Sequence, residues 1–419
     1  MPKKIFNMKY GLIGEKLGHS FSKIIHGMLS DYSYELCEVA KEDLDGFLVA
    51  RKFNAINVTI PYKEAVIPYL HYIDKAAKDI GAVNTVVNRD GKLYGYNTDF
   101  YGLSQLISHV GVTLSGRKVA ILGTGGTSKT AVAVAKSLGA REILCVSRSP
   151  REGSIGYGEL AKGHTDLDVI INTTPAGMYP RCYDEPIDIS VFPTLSAVVD
   201  VVYNPLRTPL VRSALSRGIA AEGGLYMLVA QAVRASEIFL DTKYPDGTVE
   251  RVYKQLRAQR ESIVLIGMPA SGKSTVGAIL ADMLGRELID TDELVERGQG
   301  VKISEIFSTG GEAYFRDLES EAVREASAVG GRIIATGGGA VLRRENIDAL
   351  RANGKIYFID RPLSELVPTS SRPLSSDRAS IEKRYNERYG IYSDACDVRI
   401  EVAGDARSVA AEIMENFKK

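Results

Sequence analysis

Two glycine-rich turns, each set between an apolar run and an amphipathic helix, constrain how this chain can fold more than any other feature. Gly123-Thr-Gly125-Gly126-Thr127-Ser128 follows Lys-Val-Ala-Ile-Leu at 118–122, and Gly267-Met-Pro-Ala270-Ser271-Gly272-Lys273-Ser274-Thr275 follows Ser-Ile-Val-Leu-Ile at 262–266. A strand that passes through such a turn into a helix belongs to a parallel sheet whose strand ends can receive phosphate groups. The two turns differ in kind, so they mark two nucleotide-type sheets rather than an internal repeat. Short apolar strands alternate with helical patterns along the whole chain, which predicts α/β architecture with largely parallel sheets.

Strands are expected at Tyr10–Gly14, Asn54–Thr59 and Ala82–Asn88, with helices at Phe21–Ser30, Lys41–Arg51 and Phe100–Val110. A second series runs through 118–123, 142–148, 168–174 and 197–203, with a helix over Lys129–Leu138. Helical patterns at Leu225–Leu240 and Gly247–Gln259 follow and are expected to return to the first domain. A third series begins at 262 and continues through 331–339, 354–360 and 398–402 to a helix at Ala406–Phe417. The domains expected are 1–104 with the returning helices 225–259, a Rossmann-like domain over 105–224, and a P-loop domain over 262–419. The 419 residues suit that number. Residues 257–261 contain no Pro/Gly/Ser-rich tract, which predicts a short, stiff connection.

Charge excludes several functions. Lys+Arg and Asp+Glu number 52 each, so no global field draws nucleic acid or an anionic membrane. Cys37, Cys145, Cys182 and Cys396 form no CxxC pair, and the five histidines form no HExxH group, which argues against a zinc site. No apolar run reaches membrane-spanning length, and the basic start lacks the apolar core of a leader. A cytoplasmic enzyme is expected; oligomerisation cannot be read from these residues.

In the first turn, Gly123 suits the tight bend and Gly125 the approach of a pyrophosphate to the helix N-terminus, while Ser128 stands in place of a third glycine. The following strand ends in Ser147-Arg148-Ser149, with Arg151 beyond, where an NAD site normally carries a carboxylate. A cation with hydroxyls suits a 2′-phosphate, so NADP(H) is the expected cofactor.

Upstream, polar clusters stand at strand ends: Ser20-Phe-Ser22, Asn57-Val-Thr59 leading to Lys63, Gly81 to Thr85 with Asn84, and Asn97-Thr-Asp99. Each alone is compatible with capping or turn chemistry. Together they suggest a site for a polyhydroxylated substrate, with the two serine hydroxyls on the same side of an extended step. Carbonyl reduction needs a proton donor at the developing alkoxide. Lys63 is the candidate, because a partly desolvated lysine can titrate near neutrality, with Asp99 to orient it.

The second turn fits GxxxxGK[ST] in full. Backbone N–H groups from Gly267 to Thr275 would cradle phosphates, Lys273 would reach the β- and γ-phosphates, and Ser274 would ligate Mg²⁺. Asp290-Thr-Asp292 follows the next strand; one carboxylate can organise magnesium-bound water and the other can accept a hydroxyl proton. Phe315-Arg316-Asp-Leu-Glu319 and Gly337-Gly338-Gly339 supply an arginine and bare N–H groups suited to a carboxylate-bearing acceptor. The plain alternatives are a helix cap, ion pairing along a helix, and a turn.

GxxxGHSFS, NVTIPYK, GAVNT, YNTD, GTGGTS and EGGLYMLVAQA together resemble shikimate dehydrogenase, from about Tyr10 to Phe239. The resemblance implies that Ser20, Ser22, Asn57, Thr59, Asn84, Asp99 and Gln231 hold shikimate, with Lys63 and Asp99 catalytic. It also puts Tyr203 in the same pocket and Gly224 and Met227 near the nicotinamide. A quinate-using branch of that family favours NAD; Ser20, Ser22 and Arg148 point away from it. Residues from about Ser262 onward resemble shikimate kinase. That likeness implies a shikimate site of Asp292, Arg316, Gly337 to Gly339, Arg372 and Arg388, with Asp292 as the base or hydroxyl-orienting residue and Asp290 acting through magnesium-bound water.

The expected whole is therefore a bifunctional enzyme: NADPH reduces 3-dehydroshikimate, then ATP phosphorylates shikimate. Two departures stand out. The segment between Asp360 and Arg372 is shorter than usual for the family, and Pro368 stands where an adenine-stacking arginine is common. A kinase-like module that senses shikimate or ATP without turnover is the alternative, opposed by the complete P-loop and Asp292.

Overall fold

A computed structural model describes residues 8–18, 20–366, 377–402 and 404–418. The chain divides into two compact units, Met1–Asn204 with Leu210–Leu256, and Pro205–Pro209 with Arg257–Lys419.

The first unit contains two six-stranded sheets. The first sheet is built from β1 (Tyr10–Gly14), β2 (Tyr34–Glu38), β3 (Ala55–Val58), β4 (Tyr72–Ile73), β5 (Thr85–Arg89) and β6 (Lys92–Tyr96), in the order β2-β1-β3-β5-β6-β4. Helices α1 (Ser22–Leu29), α2 (Leu44–Ala50), α3 (Lys75–Ile80) and α4 (Thr98–Val110) connect or follow them. β1, β2 and β3 run parallel, whereas β5 is antiparallel to both β3 and β6. Asp90 and Gly91, both at positive φ (51° and 77°), form the tight turn that folds β5 back on β6. Neither β2 nor β6 was expected from the sequence. β2 alternates poorly because most of its side chains are exposed or half-exposed. The segment expected as one helix over 41–51 starts as a 3₁₀ turn at Lys41–Asp43 and becomes α-helical only at Leu44.

The second sheet is all parallel, in the order β12-β11-β10-β7-β8-β9. Its strands are β7 (Lys118–Leu122), β8 (Glu142–Ser147), β9 (Ile155–Gly156), β10 (Val169–Asn172), β11 (Ala197–Asp200) and β12 (Ala220–Glu222). Helices α5 (Gly126–Ser137), α6 (Tyr157–Gly163) and α7 (Pro209–Ser216) belong to this series. β7 and β10 are buried over their full length, as strands covered on both faces must be.

Two further helices follow, α8 (Leu225–Leu240) in the first unit and α9 (Thr248–Arg260), whose last turn, from Arg257, belongs to the second. α8 packs on the first sheet: its Ala235 and Phe239 join Leu12, Ala55 and Val87 in one core, while Phe47, Leu48 and Phe53 cover the opposite face with Ile13, Ile56 and Val86. Gly102 of α4 makes the close approach of α8 possible. A Cβ there would lie 2.7 Å from the Met227 carbonyl oxygen and 3.0 Å from Gln231 Cβ.

α9 ends at Arg260 and the next strand begins at Ser262, so the expected tight connection is found. The second unit holds one parallel sheet, β13 (Ser262–Ile266), β14 (Leu288–Asp290), β15 (Ile333–Ala335), β16 (Gly354–Asp360) and β17 (Val398–Glu401), in the order β14-β15-β13-β16-β17. Its helices are α10 (Lys273–Leu284), α11 (Thr291–Gln299), α12 (Ile303–Ser327), α13 (Arg344–Asn353), α14 (Arg378–Ala395) and α15 (Ala406–Lys418). α10 and α15 cover one face; α12, α13 and α14 cover the other. Among the described residues, no helix is long and apolar enough to cross a membrane.

Candidate functional site

In the first unit, the ends of β1 and β3 and the starts of α4 and α8 converge on a cavity of about 380 Å³. Ser20, Ser22, Asn57, Thr59, Lys63, Asn84, Asp99, Thr127, Tyr203, Gly224, Met227 and Gln231 all line it. Lys63 Nζ donates to Asp99 Oδ2 at 2.6 Å, with the two side chains 26% and 14% exposed. Lys63 sits in the turn after β3 and Asp99 in the first turn of α4, where Asn97 caps the helix by accepting the Phe100 N–H at 3.2 Å.

A web of neutral polar groups holds the cavity wall. Asn57 accepts from the Tyr34 hydroxyl at 2.7 Å and donates to Thr85 Oγ1 at 3.1 Å. Asn84 Oδ1 accepts the Thr98 N–H at 2.8 Å, and the Thr98 hydroxyl reaches Gln231 Oε1 at 3.3 Å. Tyr34, Thr85 and Thr98 were missed as positioning residues. Thr85 and Thr98 stand inside the Gly81–Thr85 and Asn97-Thr-Asp99 runs, but nothing local points to Tyr34. Lys16, Leu17 and Gly18 also line the cavity and were missed, because the loop after β1 carries no motif of its own. Burial pushes the Tyr203 phenol above its ordinary pKa, so it is an O–H donor at neutral pH.

The serine pair needs a correction. Phe21 is helical (φ −80°, ψ −5°), so Ser20 and Ser22 do not flank an extended step. Instead the Ser22 N–H donates to Ser20 Oγ at 3.2 Å, a local turn that starts α1 and still leaves both residues on the cavity.

The dinucleotide turn is shaped for close approach. Gly123 has φ +104°, and a Cβ there would lie 2.9 Å from Thr173 Oγ1. Side chains at Gly125 and Gly126, by contrast, would meet nothing within 4 Å, so the N-terminus of α5 faces open space. That combination fits a dinucleotide pyrophosphate. Ser128 is buried and lines a second cavity of about 1240 Å³ together with Thr124, Ser149 and Arg151. Ser147 does not present a free hydroxyl: it donates to the Ser149 carbonyl at 3.1 Å and accepts the Ser149 N–H at 3.2 Å, closing the turn. Arg148 is exposed.

In the second unit, Gly267 (φ +149°) and Gly272 (φ +96°) shape the turn after β13. Lys273 is buried, and its ammonium donates to the carbonyls of Gly267 and Met268, each at 2.9 Å. The Ser274 hydroxyl donates to Asp290 Oδ2 at 2.7 Å. A hydroxyl and a carboxylate held together beside a phosphate cradle form the oxygen donor set that Mg²⁺ favours. Asp290 is at the same time the N-cap of α11, accepting the Asp292 N–H at 2.9 Å.

Asp292, Arg316, the glycine turn and Arg388 come together here. Side chains at Gly337 and Gly339 would collide with Asp292 and with the Arg316 guanidinium, respectively. Arg388 Nη1 donates to the Gly338 carbonyl at 3.1 Å, and the Tyr392 hydroxyl donates to the same oxygen. Only part of the glycine turn offers bare N–H groups: that of Gly337 donates to Thr291 Oγ1 at 2.9 Å, because the buried threonine holds the turn against α11. Arg372 and Pro368 lie outside the described residues.

The ion pairing along the helix that is the plain alternative for Phe315–Glu319 is present, and it is buried: Glu319 is 1% exposed. It accepts from Arg316 Nη1 at 2.7 Å, and Glu312 accepts from Nη2 at 2.9 Å. Burial raises the Glu319 pKa; Arg316 opposes that shift and nearby Asp292 adds to it. The i,i+3 spacing carried the pairing but not the depth.

The family described as shikimate dehydrogenase substrate binding domain matches residues 12–86, and the family described as shikimate kinase matches residues 269–418. The shikimate dehydrogenase (NADP(+)) of Clostridium perfringens is 37% identical over 268 residues, covering 60% of this chain and 98% of that protein. A crystal structure of a chorismate mutase/shikimate 5-dehydrogenase fusion protein from Clostridium acetobutylicum superposes with a TM-score of 0.56 at 37% identity, over 60% of this chain and 98% of that one. The Thermus thermophilus shikimate 5-dehydrogenase in complex with NADP(H) and shikimate gives a TM-score of 0.54 at 26% identity, over 59% and 99%. The chain thus belongs to the shikimate dehydrogenase family, and joined to that enzyme's fold it carries a shikimate kinase domain.

Proposed function

We propose that the chain catalyses two consecutive reactions: NADPH-dependent reduction of 3-dehydroshikimate to shikimate, and ATP-dependent phosphorylation of shikimate on its 3-hydroxyl. The observation that carries the first reaction is the Lys63–Asp99 pair, set in a cavity otherwise walled by amides and hydroxyls. Bound NADPH supplies the hydride. Lys63 gives a proton to the oxygen of the carbonyl as it becomes an alkoxide, and Asp99 holds the ammonium in line. Asn57, Thr59, Asn84 and Gln231 orient the ring hydroxyls, while Ser20, Ser22 and Tyr203 donate to the carboxylate. Gly224 and Met227 form the nicotinamide wall. Arg148 and Arg151, without a carboxylate at the end of β8, favour NADP over NAD by charge.

In the second unit, Lys273 and the backbone N–H groups of the P-loop hold the phosphates, with Ser274 and Asp290 as the magnesium side of the site. ATP supplies the phosphoryl group. Asp292 accepts the proton of the 3-hydroxyl as its oxygen forms the new bond to phosphorus and the bridging oxygen leaves with ADP. Arg316, Arg388 and the N–H groups of Gly338 and Gly339 hold the shikimate carboxylate. Positioning and charge neutralisation carry most of such a rate enhancement.

Shikimate oxidation with NADP⁺ and NAD⁺, with quinate as a competing substrate, tests the first half. A clear preference for shikimate and NADP⁺ is expected, and a preference for quinate and NAD⁺ would overturn it. ATP-dependent loss of shikimate that disappears in Asp292→Ala tests the second. ATP binding with no turnover in the unaltered chain would identify a sensor instead.

A further inference from the structure

The substrate cavity of the first unit carries one charge that the reaction described above leaves unused. Among the described residues that line it, Lys63, Asp99 and Lys16 are the charged ones. Lys63 and Asp99 neutralise each other at 2.6 Å. Lys16 makes no hydrogen bond or ion pair among the described residues. Neither of its acidic neighbours, Glu15 and Glu38, lines the cavity. The rest of the wall is amides, hydroxyls, backbone and apolar groups, so the cavity holds one unmatched positive charge.

The loop after β1 fixes where that charge stands. β1 ends at Gly14, and the chain folds back so closely that a Cβ on Gly14 would lie 2.8 Å from Leu17 Cδ2 and 2.7 Å from Thr59 Cγ2. Leu17 is buried in the core that Ala235 and Phe239 of α8 share, and its N–H donates to Glu38 Oε1 at 2.9 Å, at the end of β2. The backbone next to Lys16 is therefore pinned while the Lys16 side chain is exposed. The same loop leads on to Ser20, and Tyr203 lies against Phe21 with 5.4 Å between ring centroids. The free cation thus belongs to the loop that also presents the serine hydroxyls.

Resting on the dehydrogenase reading above, we propose that Lys16 is a further substrate-binding residue, the counter-ion for the carboxylate of the substrate, and that it makes the cavity selective for the anion over an uncharged analogue. The hydroxyls of Ser20, Ser22 and Tyr203 can orient a carboxylate but bring no charge. A carboxylate that leaves water loses hydration, and an ammonium within hydrogen-bond reach offsets that loss. Lys63 cannot serve, because Asp99 already matches it. Since Lys16 stays in contact with solvent, its attraction is worth roughly a factor of ten in affinity and not thousands.

The test is steady-state oxidation of shikimate by NADP⁺ on the full chain, without ATP, with the uncharged methyl ester of shikimate as competing ligand. In the unaltered chain, shikimate should bind about tenfold more tightly than the ester. Lys16→Gln should raise the KM for shikimate by that factor, leave kcat and the KM for NADP⁺ unchanged, and leave the inhibition constant of the ester where it was. Lys16→Arg should restore the KM for shikimate, and Lys16→Glu should raise it beyond the value for Lys16→Gln. An unchanged KM for shikimate in Lys16→Gln, or an equal loss for the ester, would overturn the proposal. So would a loss confined to NADP⁺, which would put Lys16 on the cofactor. Failure of the unaltered chain to oxidise shikimate would overturn the dehydrogenase reading, and the proposal with it, before any variant is compared.

Discussion

Lys63 and Asp99 are separated by 36 residues in sequence, and the turn after β3 and the first turn of α4 bring them to 2.6 Å. If Lys63 delivers the proton, Lys63→Met should lower kcat for shikimate oxidation by roughly a hundred- to ten-thousand-fold while leaving shikimate binding within a small factor. A loss confined to KM would instead make Lys63 a binding residue. In the kinase unit, Glu319→Ala should destabilise folding by about 3 kcal/mol, because it leaves the half-paired Arg316 guanidinium buried; urea unfolding followed by a probe in that unit reads it. The difference between these two pairs explains what was legible. Lys63 and Asp99 announce themselves as polar groups at strand and helix ends, where a core would be apolar. Glu319 lies three residues beyond Arg316 in a helix whose pattern fits a solvated face, and its burial comes from the glycine turn packed over it.

At the scale of elements, the substrate cavity depends on how closely α4 and α8 approach. Gly102→Ala would push a methyl group into the Met227 carbonyl, so the helices must separate. About 1–3 kcal/mol of stability should be lost, with a rise in KM for shikimate because Asp99 and Gln231 stand on the two helices. Unchanged stability and KM would show that the helices already have room. Behind β1 and β3, His26 is fully buried, stacked on Tyr34 at 3.9 Å, and its Nδ1 meets the Tyr32 hydroxyl. Burial lowers its pKa from 6.5 to about 3. Between those values only the unfolded chain takes up the proton, so stability falls as pH falls, by about 1.4 kcal/mol per unit for this one group. His26→Phe keeps a stacked ring and should flatten the pH dependence of unfolding between pH 6 and 4 by about one proton. An unchanged slope would contradict a neutral buried His26. The elements themselves were unevenly legible. Fully buried strands such as β7, β10 and β13 show as uninterrupted apolar runs, and their turns confirm them. The β5–β6 hairpin was signalled only by Asp90-Gly91, and the exposed edge strand β2 had almost no apolar pattern to read. The Ser20–Ser22 turn was misjudged because a helical Phe21 cannot be told from an extended one by residue type.

For the whole molecule, the two glycine-rich turns are enough to predict two nucleotide-type sheets, and the chain passes from its first compact unit to its second at Leu256–Arg257, with Pro205–Pro209 also in the second. The polar clusters of the first hundred residues fold into a third sheet within the first unit. Two compact units with separate site residues imply that each reaction can be removed singly. The Lys63→Met chain should still phosphorylate added shikimate, and the Asp292→Ala chain should still reduce 3-dehydroshikimate and then stop. Loss of both activities in either variant, with folding intact, would mean that the two sites are not independent. The most direct measurement is a single incubation of the purified chain with 3-dehydroshikimate, NADPH, ATP and Mg²⁺, followed by mass. Shikimate should appear first and shikimate 3-phosphate after it, with ADP and NADP⁺ formed in step. Accumulation of shikimate with ATP untouched would contradict the account of the kinase unit, and no consumption of 3-dehydroshikimate would contradict that of the first.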